Sequence, residues 1–312
     1  MRRIGDTDLV VHPLNLGGNV FGWTADERRS FEVLDAYVAA GGNFVDTADV
    51  YSAWIPGHEG GESERVLGSW MTSRGNRDDL VIATKVGMWS ERPGLSAANI
   101  RAAAEDSLRR LGTDRIDLYY AHVDDQETPL EETLTAFDEL VRAGKVRHIA
   151  ASNHTADRLA EALRISDESG LARYVALQPH YNLVERSGFE GELEALARRE
   201  GLAVFPYFSL AKGFLTGRYR SASGQEHSSP RASGALAYLD ERGERVLAEL
   251  DRVAADRGVP VAAVSLAWLV AQPTVTSALA SARTAGQLAE LLPLADVELS
   301  EDEVAALTSA SS

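Results

Sequence analysis

The chain has 312 residues, 45% of them apolar, no cysteine, and a formal net charge of −16. That is enough apolar material for a full core without disulfide staples, and the missing cysteines exclude disulfides, thiolate nucleophiles and cysteine-ligated zinc. The acidic balance argues against partners held by phosphate neutralisation, so neither nucleic acid nor an anionic membrane surface is expected. The N-terminal MRRIGDTDLVVHPLNLGG is broken by Asp6, Asp8, His12 and Pro13 and has no signal-peptide pattern. Ala262–Ala271 is too short for a membrane span and reads as a buried helix. A cytoplasmic protein is expected.

Taken in chain order, Arg3–Ile4 and Leu9–Val11 flank Gly5-Asp6 and predict a small N-terminal hairpin. Short β-rich runs follow at Leu14–Gly18, Phe44–Ala48, Leu80–Lys85, Ile116–His122, His148–Ser152, Tyr174–His180, Val204–Ser209 and Val275–Ala280. Segments with helical apolar spacing lie between and after them: Ser30–Ala40, Glu64–Ser73, Ala97–Leu111, Leu130–Ala143, Thr155–Ser169, Gly188–Glu200, Arg242–Arg257 and Thr284–Leu292. Glycines such as Gly41, Gly112, Gly144 and Gly258 mark helix stops. Alternation of this kind implies βαβ units and a parallel sheet. Eight units without a composition break predict one closed (β/α)₈ barrel domain over residues 1–312. Ser300–Leu307 carries a capping box and predicts an extra C-terminal helix. Tyr219–Ala237, rich in Ser, Gly and Ala, is the one long irregular segment.

Asp46, Tyr51, Lys85 and His122 fall at or just past the ends of three of these strands, on the rim where barrel loops converge. Each has an ordinary structural explanation alone: a turn cap, a core aromatic, a surface lysine, a satisfied core histidine. Four such explanations on one rim are far less economical than a shared site. A phenol titrates at ~10, too high for efficient donation at neutral pH. A lysine ammonium ~4 Å away at an effective dielectric of ~20 favours the phenolate by about 4 kcal/mol, or roughly 3 pKa units before desolvation offsets part of it. Asp46 would keep Lys85 charged, and His122 would orient a carbonyl. The set has no attacking nucleophile, so it suits protonation of an oxygen to which hydride is being delivered.

These motifs resemble the aldo-keto reductase family across nearly the whole chain. NFVDTADVYSAW with GESERVLGSW is similar to its Asp-Thr-Ala…Tyr and Gly-x-Ser-Glu signature, and ATKVG and DLYYAHVDD resemble its lysine and histidine strands. VRHIAASNH, LQPHYNLVER and FPYFSLAKGFLTGRYR are similar to its Ser-Asn strand, its Gln…Tyr-Asn segment and its cofactor-clasping loop. The resemblance implies hydride transfer from a nicotinamide cofactor to an aldehyde or ketone, with Tyr51 as general acid supported by Lys85, Asp46 and His122. It also implies that Gly18, Phe21 and Asp46 border the cofactor, that Ser152, Asn153 and Gln178 hold the carboxamide, and that Tyr207 stacks on the ring. Phe208, Ser209, Leu210, Lys212, Gly213, Leu215, Gly217 and Arg218 would cover the diphosphate.

No G-x-G-x-x-G follows a strand, which disfavours a Rossmann dehydrogenase. The adenosine phosphate would instead sit near Ser281, Arg283 and Gln287 in SALASARTAGQLAEL, at a helix N-terminus. Arg283 makes NADPH (NADP) the expected cofactor, with NAD as the alternative. The sequence departs from the family pattern at Phe208-Ser209-Leu210, at Ala280-Ser281-Ala282 and at Leu291. Trp23, Trp54 and Trp89 lie on loops after the first three strands and predict a cleft for an apolar or aromatic carbonyl substrate.

Two further readings compete with the reductase: a nicotinamide-binding regulatory subunit resembling potassium-channel β-subunits, and an aldolase-type barrel with a Schiff base on Lys85. The intact Asp-Tyr-Lys-His set favours an enzyme over the first, and the charge-keeping Asp46 disfavours the second. No oligomeric state is legible in the sequence.

Overall fold

A computed structural model of the chain describes residues 1–221 and 230–312. The N-terminal hairpin pairs β1 (Arg2–Arg3) with β2 (Val10–Val11) in antiparallel register. Eight parallel strands follow: β3 (Leu14–Gly17), β4 (Phe44–Asp46), β5 (Val81–Val86), β6 (Ile116–Ala121), β7 (Val146–Ser152), β8 (Tyr174–Gln178), β9 (Ala203–Val204) and β10 (Ala278–Ala280). Their order is β10-β3-β4-β5-β6-β7-β8-β9, each strand beside its predecessor in sequence and the last beside the first. The remaining seam closes by Val204 N–H to Thr274 O (3.2 Å), Thr276 N–H to Val204 O (3.0 Å) and Leu279 N–H to Pro206 O (3.2 Å). The result is the expected (β/α)₈ barrel.

The outer ring comprises α1 (Glu27–Ala39), α2 (Glu62–Arg74), α3 (Ala97–Leu111), α4 (Leu130–Arg142), α5 (Ala156–Ser169), α6 (Glu192–Arg199), α7 (Ala232–Leu236), α8 (Glu241–Arg257), α9 (Val261–Val270) and α10 (Ala285–Leu291). Local chemistry sets their ends. Asp26, Ser96, Thr155 and Asp240 accept backbone N–H groups as N-caps, and Gly112 and Gly258 close α3 and α8 at φ 62° and 65°. The extra helix α11 (Glu301–Ala310) opens with the Ser300–Glu303 capping box. Every side chain from Ala262 to Val270 in α9 is buried, as its all-round apolar sequence requires. α7 lies inside the segment expected to be irregular; its Ala232 and Ala235 are buried, and residues 222–229 of that segment lie outside the described residues. Among the described residues no single helix is long and apolar enough to cross a membrane.

Two cores result. The larger fills the space between strands and helices. The smaller lies within the barrel and contains Phe44, Val81, Ala83, Leu118, Tyr120, Ala150, Ala176 and Phe205, joined by Ile4, Leu9 and Val11 of the hairpin. Strand side chains alternate faces with period 2. Continuing each inward row toward the strand's C-terminal end therefore leads from Phe44 to Asp46, from Ala83 to Lys85, from Tyr120 to His122, from Ala150 to Ser152 and from Ala176 to Gln178. The apolar interior gives way to a polar layer at one rim.

Candidate active site

Lys85 is the centre of that layer. Its ammonium is fully buried and donates to Asp46 Oδ1, to the Thr47 carbonyl (2.7 Å) and to the Tyr51 hydroxyl (2.9 Å). Three N–H donors are matched to three acceptors, which leaves no lone pair for Schiff-base formation. Asp46, also fully buried, accepts in addition from Tyr51 Oη (3.3 Å) and, through Oδ2, from Gln178 Nε2 (2.9 Å). Tyr51 stands on the loop after β4, its ring edge-on to Trp54 and to His122, with centroids 6.3 and 6.2 Å away. Directly after it, Ser52 turns the chain at φ 74° with its hydroxyl directed to the Phe21 carbonyl.

The electrostatics correct one expectation. The Tyr51 phenol is not drawn down by Lys85: burial, and after it the Asp46 carboxylate, push it well above its ordinary value. At an effective dielectric of ~20, Lys85 at 2.9 Å favours the phenolate by about 6 kcal/mol and Asp46 at 3.3 Å disfavours it by about 5 kcal/mol. The two charges nearly cancel, so desolvation decides. Burial also lowers Lys85, opposed by the Asp46 carboxylate. His122 is held well below its ordinary value by burial and then by Lys85, so it is neutral.

These groups face a cavity of about 650 Å³ lined by Asp46, Tyr51, His122, Ser152, Asn153, Gln178 and Tyr207, with Trp23 and Trp54 on one wall. Ser152 donates to the Gln178 carbonyl (2.8 Å), and Asn153, in the left-handed region at φ 58°, donates to the His122 carbonyl (2.9 Å). Tyr207 Oη donates to Asn153 Oδ1 (2.9 Å), and its ring stacks on His180 at 5.2 Å. Farther along, the same cavity meets Phe208, Ser209, Leu210, Lys212, Gly213, Arg218, Ser281, Arg283 and Gln287. Gln287 accepts from the Arg283 backbone N–H (2.9 Å). The Arg283 guanidinium has no ion pair among the described residues, whereas Arg218 is paired with Glu290 (2.6 Å).

Several expected contacts lie behind the wall rather than on it. Gly18 donates its N–H to the Asp46 carbonyl (2.7 Å), and a Cβ there would meet Ser63 Oγ at 2.8 Å. Phe21 and Leu215 are fully buried in the core, and Gly217 ends the clasping turn at φ 74°. Trp89 is directed away from the cleft, packed on Gly60 and beneath the Arg92 guanidinium at 5.3 Å; its neighbour Met88 lines the cavity instead. Sequence reasoning also missed Arg231, which lines the cavity over the Trp23 ring at 5.8 Å, close enough to Tyr51 and Arg283 to feel their charge. It stands in the segment where no periodicity places a side chain. Only the fold brings it to the site.

The chain belongs to the Aldo/keto reductase family, whose model matches residues 13–312. It is accordingly an NAD(P)H-dependent oxidoreductase, and the family acts on small carbonyl compounds. Its relatives include Protein tas of Escherichia coli, 34% identical over 97% of this chain and 95% of that protein. Norsolorinic acid reductase stcV of Emericella nidulans is 34% identical over 95% of this chain and 77% of that protein. The uncharacterized oxidoreductase YrpG of Bacillus subtilis is 33% identical over 96% of this chain and 92% of that protein.

Proposed function

We propose that this protein is an NADPH-dependent reductase of apolar or aromatic aldehydes and ketones, with Tyr51 as the proton donor. One observation carries the reading: a buried Asp46–Lys85 pair whose ammonium donates to the Tyr51 hydroxyl at the wall of a cavity of about 650 Å³. The bound nicotinamide supplies the hydride. Tyr51 keeps its proton until an alkoxide, a far stronger base than a carbonyl, forms beside it. As the proton leaves, Lys85 faces the new phenolate and stabilises it. Neutral His122, edge-on to Tyr51, is available to donate to the carbonyl oxygen and fix its direction.

The donor set fits the cofactor. Ser152, Asn153 and Gln178 offer amide and hydroxyl groups to a carboxamide, and Tyr207 offers a ring face. Lys212 and Arg231 offer positive charge for the diphosphate, and Arg283 with Gln287 for a 2′-phosphate. Trp23 and Trp54, in edge contact at 5.5 Å, give the substrate an aromatic wall. Packing of Ile4, Leu9 and Val11 into the barrel interior supports reading residues 1–312 as one domain. The test is oxidation of NADPH, followed by its near-ultraviolet absorbance, with an activated aromatic aldehyde. Turnover that requires Tyr51 and prefers NADPH over NADH supports the reading; tight NADPH binding without turnover overturns it.

A further inference from the structure

Next to Lys85 but not on the cleft wall is a cluster of buried polar groups that the chemistry above does not use. Asp49 stands there, 1% exposed, its backbone N–H donating to the Lys85 carbonyl (3.2 Å). Both its carboxylate oxygens are buried and have no side-chain partner among the described residues; only the Val50 backbone N–H bears on them. The Tyr119 hydroxyl and Arg92 Nε and Nη2 are buried and without hydrogen-bond partners among the described residues as well. A buried carboxylate normally has its partners, so this one is an exception that calls for a role.

Charged and titratable groups face Asp49 from every neighbouring element: Glu64 on α2, Arg110 on α3, Arg92 on the loop before α3, Tyr119 on β6 and Lys85 on β5. Most are committed elsewhere. Glu64 accepts from Thr84 Oγ1 (2.6 Å) and Arg110 Nε (2.5 Å), and Arg92 pairs with Asp106 (2.8 Å). Asp46 is held by Lys85, Tyr51 and Gln178. Among the acids acting on Lys85, Asp49 alone has no side-chain partner among the described residues.

We infer that Asp49 is a positioning residue for the reaction, a second buried carboxylate that acts through Lys85 by keeping its ammonium charged behind Tyr51. This rests on the reading of Lys85 and Tyr51 given above. Burial, and after it Glu64, push the Asp49 carboxyl up to about 7, so its charge appears as pH rises through neutrality. Asp46 holds Lys85 by contact; Asp49 adjusts it from a distance.

The chain has only three lysines, Lys85, Lys145 and Lys212, so a protein labelled with carbon-13 at lysine Cε gives a spectrum in which Lys85 is assigned by its loss in Lys85→Met. In the wild type, without cofactor, the Lys85 resonance should show a step near the Asp49 midpoint of about 7. In Asp49→Asn that step should vanish, and Lys85's own titration should fall by about one pH unit. The alkaline limb of kcat for the aldehyde should fall by about the same amount, with KM unchanged within about twofold. A wild-type Lys85 resonance with no step near neutrality overturns the proposal even if Asp49→Asn does not fold. A resonance or a kcat profile that is the same in both proteins also overturns it. Turnover that survives Tyr51→Phe defeats the acid assignment instead, and the Lys85 resonance still reads the coupling to Asp49.

Discussion

The Lys85 ammonium donates to the Tyr51 hydroxyl at 2.9 Å, and the carboxylate that holds this ammonium, Asp46, accepts from the same hydroxyl at 3.3 Å. One phenol therefore stands between a cation and an anion of nearly equal reach. At rest the two offset each other and burial keeps the proton on Tyr51. In the proposed role of Tyr51 as proton donor, the cation is already in place when the proton leaves, a preorganised response to charge that appears only during reaction.

Replacing Tyr51 by Phe should remove the proton donor with little disturbance, because the ring contacts to Trp54 and His122 remain. Turnover should fall by about 10²- to 10⁴-fold, the usual contribution of a general acid. Affinity for NADPH, measured by fluorescence titration, should stay within about twofold. Near-wild-type turnover would take the acid role away from Tyr51.

Arg283 is half-buried on the cavity wall, with no carboxylate partner among the described residues. Arg283→Ala should weaken NADPH binding by about 1.5–3 kcal/mol, roughly tenfold or more, as expected for a charge-assisted hydrogen bond. Binding of NADH should hardly change. Equal losses for the two cofactors would mean that the arginine does not read the 2′-phosphate.

Lys85→Met leaves Asp46 buried and without its cation. Breaking a buried pair in this way costs about 3–5 kcal/mol, visible as a lower midpoint in urea unfolding. Adding Asp46→Asn removes the stranded charge, so the double variant should recover most of the loss. A double variant no more stable than Lys85→Met would argue against a charge-driven penalty.

Asp49 links the buried polar cluster beside Lys85 to the pH dependence of stability. The unfolded chain releases this proton near ~4, and the folded protein near about 7. Between those values the folded state binds more protons, so stability contributed by Asp49 is present at low pH and is lost as pH rises. Asp49→Asn should match the wild type in Tm at about pH 4 and exceed it at about pH 8. Calorimetry at both pH values checks this, and a variant less stable at high pH would contradict it.

The repeating pattern of the chain encoded the barrel, since both periodicities, 2 for strands and 3.6 for helices, are local properties of consecutive residues. Placement of Asp46, Lys85, His122, Ser152 and Gln178 at the rim followed from it, because each lies at or just past a strand's C-terminal end. Loops obey no such period. For that reason Trp89 and Met88 exchanged places relative to the cleft, Arg231 arrived from a segment with no readable pattern, and α7 formed where none was expected. The direction in which Tyr51 is shifted was likewise a product of the fold. A lysine thirty-odd positions away can be guessed as a partner from its strand, but desolvation and the counteracting Asp46 are sums over atoms that only the folded barrel assembles.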